Sequence, residues 1–145
     1  MLMADDVEIN YWEKLIYQFD GARFGQGKDK PKIFIIQACN TFGTQTQTNP
    51  LPPLTTDLTD TLVSSCTLPG TYAWRDPYKG SFYIHCLAQV VMHEAWRTEA
   101  QKLFGEKLQN SMEKLKIDGM PHPDKQKPTC ELISFKKEFY FNPGV

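Results

Sequence analysis

An excess of charge of either sign is absent from this sequence. Sixteen lysines and arginines stand against 17 aspartates and glutamates in 145 residues, a formal net charge of −1. Without a basic stripe or an acidic block, nucleic acid and anionic membrane surfaces are excluded as expected partners. No apolar run approaches the roughly 20 residues that cross a bilayer, so a membrane span is not expected. The opening Met1-Leu2-Met3-Ala4-Asp5-Asp6 has neither the basic start nor the apolar middle of a secretory signal. Cys-x-x-Cys pairs are missing as well: Cys39, Cys66, Cys86 and Cys130 are widely spaced. They read as reduced thiols, which makes a cytoplasmic location the expectation. No internal repeat occurs. Histidine is scarce, with only His85, His93 and His122, none of them ahead of Cys39.

The chain has 41% hydrophobic and 12% aromatic residues, a globular composition in a length suited to one domain. Val7 and Ile9 alternate with polar neighbours as a short strand does. Trp12, Leu15, Ile16 and Phe19 then recur at the spacing of one helical face. After glycines and a charged loop comes the unbroken run Ile33 to Ile36, which suits a strand buried on both faces. Residues 41–53, rich in Thr, Gln, Asn and Pro, read as a loop or linker. Thr61 to Cys66 reads as a second strand, closed by Pro69-Gly70. Ser81 is the expected N-cap of a helix whose apolar stripe is Ile84, Leu87, Ala88 and Val91. Thr98 to Lys116 is another helix, with Leu103, Phe104, Leu108, Met112 and Leu115 on one side. A polar loop (119–128) and a last strand, Cys130 to Phe135, complete an α/β order of elements.

Two stretches carry chemistry. Lys32-Ile33-Phe34-Ile35-Ile36-Gln37-Ala38-Cys39 delivers a cysteine to the end of the apolar strand, and Pro69-Gly70-Thr71-Tyr72-Ala73-Trp74-Arg75-Asp76-Pro77 follows it. With Gly80-Ser81-Phe82-Tyr83 and Lys137-Glu138-Phe139-Tyr140-Phe141 in order and at similar spacing, the sequence resembles the caspase family of cysteine proteases. The resemblance covers nearly the whole chain. It implies a partial three-layer α/β/α sandwich, the rear half of a six-stranded, mostly parallel sheet with flanking helices. Residues 1–40 would then resemble the end of a large subunit, 41–56 a linker, and 57–145 a small subunit.

By the same resemblance Cys39 holds the nucleophile position. Gln37 and Arg75 form the floor of a pocket for a substrate aspartate, with Tyr72, Trp74, Ser81 and Phe82 around it. Arginine suits this task because its planar fork grips a carboxylate bidentately. Several features depart from the family pattern. Asn40-Thr41 replace the residues that normally follow the cysteine, and Phe82 replaces a tryptophan. The general-base histidine of the family lies about 50 residues ahead of its cysteine, and the 38 residues ahead of Cys39 contain none. The glycine beside that histidine and the first pocket arginine are missing with it. General acid–base help is worth on the order of 10²–10⁴ in rate, so the chain alone is not expected to cut peptides.

The implied function is therefore that of a pseudo-protease, which binds a caspase precursor or large subunit and regulates its activation in apoptosis, as an inhibitor. The alternatives are an aspartate-specific cysteine endopeptidase whose histidine comes from a partner chain, or a fragment or isoform of a full caspase. The edge of the Ile33–Ile36 strand invites a large subunit, and the Cys130–Phe135 strand resembles the one that pairs across the family's dimer axis, which implies a homo- or heterodimer. No cofactor is expected. Cys86 and His93, seven apart on one helix, are two ligands and do not make a metal site. For Cys39 itself a buried, merely structural cysteine is the competing reading.

Overall fold

The structure is a computed structural model that describes residues 2–4, 7–39, 57–115 and 126–141. The expected loops at 41–53 and 119–128 therefore lie partly or wholly outside the described residues, as does His122.

The chain opens with an antiparallel pair, β1 (Leu2–Ala4) and β2 (Val7–Ile9), with Leu2 opposite Ile9. Asn10 caps the next helix, α1 (Tyr11–Lys14), its side chain accepting from the Trp12 N–H at 3.1 Å. The single helix expected from Trp12 to Phe19 is split here. α1 stops after one turn and a 3₁₀ turn, Ile16–Phe19, replaces its continuation. The tighter period of that turn buries Tyr17 beside Ile16 and leaves Leu15 42% exposed.

The principal sheet has the order β3-β4-β7, where β3 is Lys32–Ile36, β4 is Thr61–Ser65 and β7 is Thr129–Ile133. β3 and β4 run parallel, Lys32 opposite Thr61 and Ile36 opposite Ser65. β7 is antiparallel to β4, with Thr61 opposite Ile133. All five β4 residues are buried, as a central strand with covered faces requires. β3 departs from its expected burial. Among the described residues it is an outer strand, and Ile35 is 48% exposed.

A Pro69-Gly70 turn follows β4. The Thr71 N–H donates to Leu68 O at 3.2 Å, and Gly70 takes φ +80°, the third-position geometry of a type II turn. A two-rung hairpin unforeseen in the sequence comes next, β5 (Arg75–Asp76) with β6 (Gly80–Ser81). α2 (Phe82–Glu94) begins on Ser81, whose hydroxyl oxygen accepts from the Ile84 N–H at 3.2 Å. Its buried face is Phe82, Tyr83, Cys86, Leu87 and Val90. The expected stripe was rotated from this: Ile84 is 41% exposed and only Leu87 of that set is buried. α3 (Ala100–Lys102), a π-helical turn (Leu103–Lys107) and α4 (Leu108–Lys114) form one continuous rod. There the expected stripe holds, with Leu103, Phe104, Leu108 and Met112 buried and Leu115 partly so.

Two cores lie on the two faces of the sheet. Leu62 and Cys66 pack with α2, the π-turn and α4; Val63 and Ile36 pack with Tyr11, Trp12, Ile16, Tyr17 and Leu58. Successive β4 side chains alternate between them, as strand geometry dictates. Helices, sheet and the α1 region are thus three layers, a partial form of the expected α/β/α sandwich.

Candidate active site

Beyond the C-terminal end of β3 lies a cavity of about 360 Å³, lined by Gln37, Ala38, Cys39, Ala73, Arg75, Gly80 and Ser81. Open α/β sheets characteristically place ligands at the carboxyl ends of their strands. The chain reaches this point in register, since the Cys66 N–H donates to Ile36 O at 3.0 Å one residue past the last paired position. It then bends at Ala38 and presents Cys39 on the surface. The competing expectation of a buried cysteine at this position is overturned by that bend.

Gln37 is held by α2. The Ser81 hydroxyl donates to Gln37 Oε1 at 2.5 Å while its oxygen caps the helix, so one side chain fixes both the helix start and the cavity floor. The Cys39 sulfur accepts from the Ala73 N–H at 3.5 Å, which sets the sulfur against the wall formed by the 71–75 segment. That wall is secured by Gln126, 3% exposed. Gln126 Oε1 accepts from the Trp74 N–H at 2.8 Å and Nε2 donates to Cys66 O at 3.2 Å. Arg75 reaches the cavity from β5, opposite Ser81 in the hairpin. No ion pair engages its guanidinium among the described residues, which leaves a cation for an incoming carboxylate.

The structure thus brings together Gln37, Cys39, Arg75 and Ser81 of the residues singled out in the sequence. Tyr72, Trp74 and Phe82 are not in the cavity lining. Tyr72 is 64% exposed beside it, Trp74 packs partly on the core, and Phe82, 6% exposed, is a core residue. Ala73, Gly80 and Gln126 were not foreseen. Ala73 and Gly80 act through backbone, which no side-chain motif announces, and Gln126 meets Trp74 across 52 residues of sequence. Gly80 did carry a signal, a glycine just ahead of the N-cap, and it takes φ +80°.

His85 and His93 are exposed on α2, and neither lines the cavity. The other thiols differ from Cys39 in being buried or, for Cys130, partly buried. Burial pushes the Cys66 and Cys86 thiols up, and it pushes Cys130, helped by Glu131 and Glu99, up to about 11. No cluster of three or more metal-ligating side chains occurs among the described residues. Chemically, the cavity offers an exposed sulfur, a main-chain donor to it, and a carboxylate-binding cation.

A family model of the caspase domain matches residues 4–140. Caspase-1 of Equus caballus is 28% identical over 139 residues, covering 81% of this chain and 32% of that protein. Caspase-3 of Mesocricetus auratus is 32% identical over 123 residues, covering 77% of this chain and 44% of that protein. Caspase b of Danio rerio is 33% identical over 126 residues, covering 81% and 30%. The chain spans about a third to under a half of the length of these curated relatives.

Proposed function

This chain belongs to the caspase family, and from that premise we propose that it is a pseudo-protease that docks on a caspase precursor or large subunit and restrains its activation in apoptosis. The observation that carries the reading is the pairing of two features on β3. Its C-terminal end leads to the Gln37–Cys39–Arg75 cavity, which no described histidine lines, and its outer edge is unpaired among the described residues. An edge strand with free N–H and C=O groups and a half-exposed Ile35 is a template for a further strand. A large subunit would add such a strand. If this chain occupies that position in place of the precursor's own small subunit, productive assembly stops. Asn40-Thr41 after the cysteine, in place of the residues usual in the family, support an occupied but unproductive site.

Mixing the purified chain with a caspase precursor tests this. Co-elution in size-exclusion chromatography and slower precursor processing are expected, both lost in Ile35→Lys. Absence of association at micromolar concentration overturns the reading. The exposed Cys39 sulfur motivates a second one, an endopeptidase completed in trans. Aspartyl-peptide cleavage that appears only on mixing and disappears in Cys39→Ala would favour it over restraint.

A further inference from the structure

A second thiol lies next to the cavity without lining it. Cys66 is fully buried, and its Sγ–H donates to Ala38 O at 3.1 Å. That carbonyl belongs to the same peptide unit as the Cys39 nitrogen, so the sealed thiol rests on the link that carries the open one. A disulfide needs its Cα atoms within about 7 Å. Neighbouring strands are about 4.8 Å apart, and Ile36 sits opposite Ser65. Cys66 and Cys39 are therefore one and three residues past a paired position. The contact of Cys66 Sγ with Ala38 O bridges the remaining two-residue offset, since that oxygen lies one peptide bond from the Cys39 Cα.

The geometry points to Cys66 as the resolving thiol of Cys39: a peroxide oxidises the exposed sulfur, and Cys66 captures it as an intrachain disulfide. In the first step the Cys39 sulfur attacks one peroxide oxygen. An S–O bond forms, the O–O bond breaks, and the departing hydroxide takes a proton to become water. Cys39 is then a sulfenic acid, and the peroxide has been reduced. In the second step the Cys66 sulfur attacks the sulfenic sulfur. The S–S bond forms, the S–O bond breaks, and hydroxide leaves as water with the Cys66 proton. Two thiols and one hydrogen peroxide give one disulfide and two waters. Without the second thiol an exposed cysteine climbs onward to sulfinic and sulfonic acids, which are not readily reversed. Burial keeps Cys66 protonated at neutral pH, so the open sulfur meets the oxidant first. Capture should accelerate as pH rises. This pairing uses the same cysteine as the functional reading but does not depend on any caspase partner.

The test is hydrogen peroxide added to the reduced full chain, followed by alkylation and non-reducing mass spectrometry. Proteolysis ahead of Asp29, Asp57, Asp60 and Asp76 separates the two cysteines into peptides 29–56 and 60–75. These peptides should appear joined, lighter by two hydrogens than their sum, and should separate on reduction with dithiothreitol. Cys66→Ser should abolish the link and raise Cys39 sulfinic acid several-fold. A Cys86→Ser/Cys130→Ser double variant, which retains only the proposed pair, should form it at the wild-type yield. The proposal fails if wild-type Cys39 overoxidises as fast as it does in Cys66→Ser. It fails equally if Cys39 links instead to Cys86, Cys130 or a second chain.

Discussion

Beneath the cavity floor a pair of hydroxyls joins α2 to the central strand. Tyr83 is fully buried, and its phenol donates to Ser64 Oγ at 2.7 Å, with Ser64 O at 3.2 Å. Burial drives the phenol well above its ordinary range, so it remains a donor at any physiological pH. Removing one partner leaves the other unsatisfied in a dry site, which costs more than the bond itself contributes. Tyr83→Phe is therefore expected to lose about 1–3 kcal/mol in urea unfolding at unchanged slope. Adding Ser64→Ala should recover part of that loss, because no orphan remains. A double variant whose loss is the plain sum of the two singles would show that the hydroxyls act independently. Gly80 makes a smaller demand. A Cβ there meets nothing within 4 Å, but φ is +80°, so Gly80→Ala should cost only the backbone strain, about 1 kcal/mol. Asp60, just ahead of β4, ties two segments to the sheet. At φ +51° its carbonyl accepts from the Lys32 N–H at 2.8 Å, and its side chain accepts from the Lys136 N–H at 3.1 Å.

Secondary-structure elements show which patterns in the sequence could be read and which could not. The α3–α4 rod was legible because its apolar residues all lie on one side, and Phe104, 2% exposed, sits at its centre. Phe104→Ala should cost about 3–5 kcal/mol. On α2, by contrast, Ile84→Ser should stay within about 0.5 kcal/mol, although both residues look like core in the sequence. Urea midpoints of the two variants decide the point. The phase of α2 was misread because its first turn is buried: Phe82, assigned to the pocket by resemblance, and Tyr83 set the inward face. α1 was misread because helical spacing cannot distinguish a full helix from one turn followed by a 3₁₀ turn. The site was legible where contiguous motifs carry it, as in Gln37, Cys39, Arg75 and Ser81. It was illegible where backbone or distant contacts complete it, as in Ala73 and Gln126.

For the molecule as a whole, the covered thiols make alkaline stability a readout of packing. Cys130, on the outer strand β7, has its thiol pushed from 9.0 up to about 11 by burial and then by Glu131 and Glu99. The unfolded chain begins to release that proton near pH 9, whereas the folded chain retains it to about pH 11. The unfolded state thus binds fewer protons across this window, and the folded state loses stability as pH rises through it. Below the lower value the contribution is fully present. Cys66 and Cys86, also raised by burial, act in the same direction. Allowing for the partial exposure of Cys130, its share is on the order of 1 kcal/mol. Urea midpoints should therefore fall between the two ends of the window, and Cys130→Ala should flatten that fall. The outer edge of β7 gives the same experiment a second use. A dimer formed across it would cover the 129–133 segment, shield Cys130 further and move the fall to higher pH with increasing protein concentration. Ile133→Lys, placed on that edge, should abolish the concentration dependence and leave the monomer's slope. A pH profile indifferent to both substitutions would mean that neither the thiol nor the edge contributes to holding the fold together.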